Sequence, residues 1–352
     1  MSLAQIPQAK WGAGTGRQVI LKNDFAFIEA AILELAQVSQ VPDLTWVDQS
    51  TVQVTATPDG PARLLLNGFP QPQHRGLLLS GNLTDGKYRE NALTVTMSFN
   101  TPAHFWGMEK SQQWYVIYAV AAALDTTFSL KAMPVMRFAS QSSQVITFRN
   151  NANTGNIGYG FTTNELQNGK ILILTGSSRG QMRTITANNN DNGTAGTLTY
   201  GGSSLTMAQG DWFVVLPPNV NFRYLGMIFN NAAGNIQPFQ QVGRGWRWLS
   251  PLPWVDGPVN GWTKQALDLV VPVTAQIVQG VAHADYGYTV KAAFSQDGAA
   301  WNQLVHVPYP GGGFKDTGAA LPFSFLPRPD HSIYVDNENT PGQHLAIVGW
   351  SE

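Results

Sequence analysis

The chain has 352 residues, a formal net charge of -1 and charged side chains at only 12% of positions, against about 25% in an ordinary domain. Near-neutrality supplies no electrostatic pull toward nucleic acid or an anionic membrane, and the absence of cysteine excludes disulfides, iron–sulfur clusters and thiolate metal sites. At this length two or three domains are expected, since single cores stop growing near ~250 residues.

No apolar run approaches the ~20 residues that span a bilayer. The opening MSLAQIPQAKW lacks the apolar stretch of a secretion signal. The expectation is a chain made in a cytosol, or part of something assembled there. In WGAGTGRQV the glycines Gly12, Gly14 and Gly16 follow no strand and precede no Lys-Ser/Thr pair, so they match neither a P-loop nor a dinucleotide fingerprint. The segment reads as an extended docking arm.

The convincing helix is NDFAFIEAAILELAQ, with Asn23 or Asp24 as N-cap and Phe25, Ile28, Ile32 and Leu35 on one seam. Barely two heptads long, such a helix is marginal alone. It either packs on its own domain or joins a short bundle around a symmetry axis. The four seam residues are the candidate oligomerisation contacts, and residues 1–40 the candidate attachment unit.

After Pro42 the texture turns to β. LTWVD, TVQVTAT, ARLLLNG, ALTVTMSF and QWYVIYAV alternate or run apolar between Gly, Pro, Asn and Asp. Residues 138–218 change style, with SQVITFRN, GKILILTG, QMRTITA, GTLTYGG and GDWFVVLPP joined by Asn/Gly-rich turns; FRYLGMIF then resumes the style of QWYVIYAV. A small β module inserted at 138–218 into a β domain of 41–137 plus 219–249 is therefore expected. RGWRWLSPLPWVDGPVNGW, dense in tryptophan and proline, is too stiff for a flexible linker. From 250 to 352, strands at intervals of roughly 8 to 15 residues predict a jelly-roll-like sandwich. The expected fold is mainly β, antiparallel sandwich or jelly-roll domains with a short N-terminal helix.

Candidate chemistry is sparse. Gly176-Ser177-Ser178-Arg179-Gly180 matches the G-x-S-x-G pattern of a nucleophile elbow, but an elbow runs strand, turn, helix. Here the alternating, β-branched Met182-Arg183-Thr184-Ile185-Thr186 follows, which predicts a hairpin. Asn188 to Gly193 imitates the first half of a calcium loop yet lacks the acidic twelfth position, and the six histidines form no zinc-binding spacing. No catalytic residue, metal site or cofactor is expected. The acidic residues sit mostly in turns such as Asp59-Gly60 and Asp85-Gly86. The aromatics of C-terminal loops, Tyr286, Tyr288, Trp301 and Tyr309, with Asp285, Asp297 and Asn302, are candidate glycan contacts: rings stack on sugar C–H faces while carboxylates and amides bind hydroxyls.

PDLTWVDQSTVQVTA, QWYVIYAVA and FRYLGMIFNN resemble segments of structural proteins of tailed-bacteriophage virions. GKILILTGSSRGQMRTITANN and the closing HSIYVDNENT and AIVGWSE are similar to small modules and terminal domains of the same proteins. The resemblance covers most of residues 40–352. It implies a non-enzymatic fibre, collar or head-decoration protein, located in the virion after assembly in the host cytoplasm. The implied partners are copies of the chain, a trimer being expected, other virion proteins and a host cell-surface glycan, with neither nucleic acid nor membrane. A stand-alone carbohydrate-binding protein is the alternative, followed by a polysaccharide hydrolase, which needs two carboxylates in one groove.

Overall fold

The computed structural model describes residues 44–54, 62–65, 88–122, 124–149, 158–191, 196–242, 245–256, 259–284, 290–299, 303–307, 320–337 and 343–352. The helix expected at 24–37, with Phe25, Ile28, Ile32 and Leu35, and the arm before it lie outside the described residues. Within them the chain is mainly β, and every pairing between its strands is antiparallel.

The N-terminal strands are β1 (Leu44–Asp48), β2 (Thr51–Val54), β3 (Ala62–Leu65), β4 (Tyr88–Asn91) and β5 (Val95–Ser98). β1, β2 and β5 form a three-stranded sheet, and β3 pairs with β4. Next come β6 (Gln113–Ala121) and β7 (Ser129–Pro134), and much later in the chain β14 (Asn221–Asn230). These three make a central sheet in the order β14-β6-β7.

Every residue of β6 and β14 is buried, which is why QWYVIYAVA and NFRYLGMIFN read as apolar runs with little alternation: both faces of this sheet are covered. On one face Tyr115 packs edge-on against Phe99 and Phe105, with ring centroids 5.2 and 5.5 Å away, toward the β1-β2-β5 sheet. On the other, the Tyr118 hydroxyl donates to the Val215 carbonyl at 3.3 Å and the Trp114 indole N–H donates to the Asp268 carbonyl at 2.7 Å. A β-bulge between Tyr224 and Gly226 breaks the register of β14. Any Cβ at Gly226 would overlap the ring of Trp246, so glycine there lets that ring pack directly on β14.

Between β7 and β14 the chain builds a closed barrel from β8 (Met136–Ser142), β9 (Val145–Arg149), β10 (Lys170–Ile173), β11 (Met182–Asn188), β12 (Gly196–Tyr200) and β13 (Trp212–Leu216), in the order β10-β11-β12-β9-β8-β13. Closure leaves no unpaired edge. Alternation decides which side chains point in: Gly196, Leu198 and Tyr200 are buried, Thr197 and Thr199 are not. The ring of Phe148 lies over Gly196, where a Cβ would collide with it, and meets Tyr159, Phe161 and Phe213 at 5.9, 6.0 and 6.3 Å.

The remaining strands are β15 (Phe239–Val242), β16 (Gly245–Asp256), β17 (Val259–Ala266), β18 (Ile277–Ala284), β19 (Val290–Ser295), β20 (Gln303–Val307), β21 (Ala320–Phe325), β22 (Ser332–Asn337) and β23 (Gln343–Ser351). They form a five-stranded sheet, β15-β16-β23-β18-β21, and a four-stranded sheet, β17-β22-β19-β20. Phe294 of the second meets Phe323 and Phe325 of the first at 4.7 and 5.2 Å. Pro251 and Pro253 lie in β16 where its register against β23 shifts, as expected of residues without a ladder N–H.

The tryptophan-rich stretch joins this region to the central sheet. Trp350 of β23 stacks on Trp246 of β16 at 5.6 Å and 7°, and lies 4.8 Å from Trp248 and 6.0 Å from Trp114 of β6. One hydrophobic cluster runs from Leu44 through the central sheet and barrel to Trp350, so the sheets share a contiguous core.

Candidate functional site

The G-x-S-x-G segment folds as the turn of a hairpin: β10 pairs antiparallel with β11, Lys170 opposite Thr184. Gly176 and Gly180 sit at φ +76° and +81°, in the left-handed region that glycine tolerates. The pattern therefore reflects backbone geometry. Ser178 is buried, and its hydroxyl donates to the Thr206 carbonyl at 2.8 Å while accepting the Thr206 N–H at 2.9 Å. Both functions of the hydroxyl are committed to bracing the neighbouring loop.

The Asn-rich loop uses its side chains in the same way. Asn188 Oδ1 accepts the Leu166 N–H at 2.9 Å, Asn189 Oδ1 accepts the Thr197 N–H at 2.7 Å, and Asp191 Oδ2 accepts the Tyr159 N–H at 2.7 Å. These oxygens serve separate backbone donors and do not converge. Among the described residues no three His, Asp or Glu side chains gather to hold a metal ion.

Of the candidate glycan contacts, Asp285, Tyr286, Tyr288, Trp301, Asn302 and Tyr309 lie outside the described residues. Asp297 is exposed, and its Oδ1 accepts the Ala299 N–H and the Ser295 hydroxyl, both at 2.9 Å, in a tight turn after β19. That is a turn-stabilising arrangement.

A cleft of about 290 Å³ opens where the barrel meets the C-terminal sheets. The barrel contributes Leu174, Thr175 and Arg179; the other side contributes Gln276, Arg328 and His331. Each wall is fixed from behind. Thr175 accepts the Trp212 N–H at 2.7 Å and donates to Asp211 at 3.3 Å, and the Ser178 brace holds the turn that carries Arg179. Arg328 lies over the Tyr334 ring at 4.8 Å, pairs with Asp330 at 3.3 Å and donates to the Gln296 carbonyl. Gln296 in turn donates to the Leu326 carbonyl, strapping the 326–328 segment to the end of β19. Arg137 ties the two sides together, pairing with Asp268 at 3.0 Å and lying 4.8 Å over the Trp212 ring.

The electrostatics follow from partial burial. Desolvation lowers the pKa of the Arg179 guanidinium from its ordinary value. It also lowers that of the buried His331 imidazole, whose Nε2 lies 3.0 Å from the Val271 carbonyl and so carries the proton. Burial works against the Asp330 carboxylate, but Lys264, Ser332 and Arg328 outweigh it and hold its pKa below the usual value. Among the described lining residues none is acidic.

Sequence reasoning weighed Ser178 and passed over its neighbour Arg179. The only signal for the cleft was an arginine in a glycine-bounded turn, and nothing local connects it to Arg328. No family model, curated protein or solved structure matches the chain.

Proposed function

We propose that the chain is a structural component of a tailed-bacteriophage virion: a tail, collar or head fibre or a decoration protein that assembles as a homo-oligomer and meets the host surface. The sequence resemblance supplies the class. The observation that carries it further is the contiguous core, in which Trp114, Trp246, Trp248 and Trp350 join the central sheet to the C-terminal sheets. A contiguous core of this kind suits a load-bearing, many-copy particle protein. In this reading residues 1–40 attach and trimerise, the barrel is an inserted module, and residues 250–352 form a jelly-roll-like distal end.

The seam of Phe25, Ile28, Ile32 and Leu35 would bury roughly 1.5 to 3 kcal/mol per side chain against symmetry mates. Light scattering on purified wild type and on the Ile28→Asp, Ile32→Asp double variant tests this: the variant is expected to run as a monomer while wild type does not. A double variant of unchanged mass would make the helix an internal packing element.

A further inference from the structure

We propose that the outer face of the five-stranded sheet β15-β16-β23-β18-β21 is a contact surface for a second copy of this chain. The proposal rests on the homo-oligomeric reading above and names a surface for it within the β body. Alternation along the strands separates the two faces of the sheet. Val278, Phe323, Phe325, Leu345 and Ile347 are buried on the inner face, where Phe323 and Phe325 meet Phe294 of the four-stranded sheet. Ile277, Gln279, Pro322 and Ser324 alternate with them and are exposed, while Val281 and Ala346, opposite each other in the ladder, are half-buried.

The solvated face of an antiparallel sheet is ordinarily polar, and this one is short of charge. β15, β18, β21 and β23 contain no Lys, Arg, Asp or Glu. β16 adds Arg247 and Asp256, and Asp256 is paired with His344 of β23 at 2.6 Å. Leu249, Ile277 and Leu326, the last just past β21, are 54%, 36% and 57% exposed, an apolar surface of the kind that marks protein contacts. Charge and continuity select the occupant. Such a face cannot steer a strongly charged partner, and two copies of it meet with little like-charge repulsion. Residues 1–43, which include the candidate seam, join the body beside this sheet: the Leu44 N–H donates to Gln241 Oε1 of β15 and the Ile236 N–H donates to the Gln49 carbonyl, both at 2.7 Å, so β1 runs alongside β15. Copies gathered through that seam are therefore tethered at the edge of this face. From strand rise and spacing the five strands present about 600 Å² in projection, and the side chains standing on them raise the accessible area toward the ~800 Å² per partner of a stable interface.

Two measurements on the 352-residue chain test the contact. The first is the mass by light scattering, over a dilution series, of wild type and of the Leu249→Lys, Gln279→Lys double variant. Both substitutions fall on exposed positions, so the circular dichroism spectrum should stay unchanged, while like charges brought together across the contact should raise the dissociation constant at least about 100-fold. The second uses the absence of cysteine, which makes an introduced thiol the sole one in the chain. Maleimide should label the assembled Gln279→Cys protein at least about 10-fold more slowly than Leu93→Cys, at a site 79% exposed, and the difference should vanish on dilution to monomer. A mass that falls with Ile28→Asp, Ile32→Asp but not with the lysine pair, together with equal labelling of the two thiols, would leave the homo-oligomer standing and overturn the sheet contact. Protection of Gln279→Cys in a protein that is monomeric at every concentration would assign the cover to the chain itself and also overturn it. A wild-type monomer with both thiols open would sink the contact and the homo-oligomeric reading together.

Discussion

Replacing Trp350 with alanine removes the ring on which the junction of the central and C-terminal sheets is built. Trp350 is 1% exposed and contacts the rings of Trp246, Trp248 and Trp114. A buried indole covers roughly 200 Å², which at about 25 cal/mol/Å² corresponds to about 5 kcal/mol of transfer free energy. Partial collapse of the neighbouring tryptophans recovers some of this, so the expected loss is about 3–5 kcal/mol. Trp350→Phe separates packing from polarity. The indole N–H of Trp350 is buried with no hydrogen-bond partner among the described residues, and phenylalanine deletes that group while keeping an aromatic face toward Trp246. Its expected cost is about 1–2 kcal/mol, since removing an unpaired donor offsets part of the lost volume. Urea unfolding followed by circular dichroism measures both. A loss below about 1.5 kcal/mol for Trp350→Ala, or equal losses for the two variants, would refute the claim that stacked rings hold the junction.

Ser178→Ala strands the Thr206 N–H and carbonyl, so it should cost about 1–3 kcal/mol without changing assembly; labelling of wild-type Ser178 by a fluorophosphonate would contradict the bracing role. Gly226→Ala should destabilise the fold and shift tryptophan fluorescence, because its Cβ meets the Trp246 ring; an unchanged midpoint and spectrum would show that the bulge can open. Burial raises the pKa of Glu352 above 4.5, although Thr274 and Tyr224 donate hydrogen bonds to its carboxylate. The folded state therefore binds the extra proton, and stability conferred by the protonated form fades as pH rises above the unfolded value. Glu352→Gln should gain on wild type between pH 4 and pH 8 in parallel urea titrations, and a gap independent of pH would place the carboxylate in water. His331, whose pKa burial lowers from 6.5, has the opposite sign: its contribution is lost as pH falls below that value, and His331→Asn should flatten that acid limb.

The strands were legible because their chemistry is local. TVQV and GTLTY carry period-two alternation, and the structure gives them one buried and one less buried face. QWYVIYAV and FRYLGMIF share an apolar style, and the structure makes them hydrogen-bonded neighbours, Tyr224 opposite Tyr118. The hairpin at Ser178 was legible because a β-branched run follows the turn. Partner choice was not: alternation says which face a residue takes and is silent on which strand lies beside it. The closure of β10 onto β13 and the four-tryptophan contact are therefore tertiary facts without a local signature. The cleft was invisible for the same reason, since Arg179 and Arg328 line one cleft only because the barrel docks on the C-terminal sheets. Asp297 was picked for its residue type, and its carboxylate serves its own turn.

The most direct test of the virion reading is the solution mass of the purified 352-residue chain by light scattering, with negative-stain images of the same sample. The account predicts a homo-oligomer, most simply a trimer, seen as elongated particles of uniform length. A compact monomer of the 38.3 kDa chain mass at every concentration tested would contradict it and favour a stand-alone binding protein.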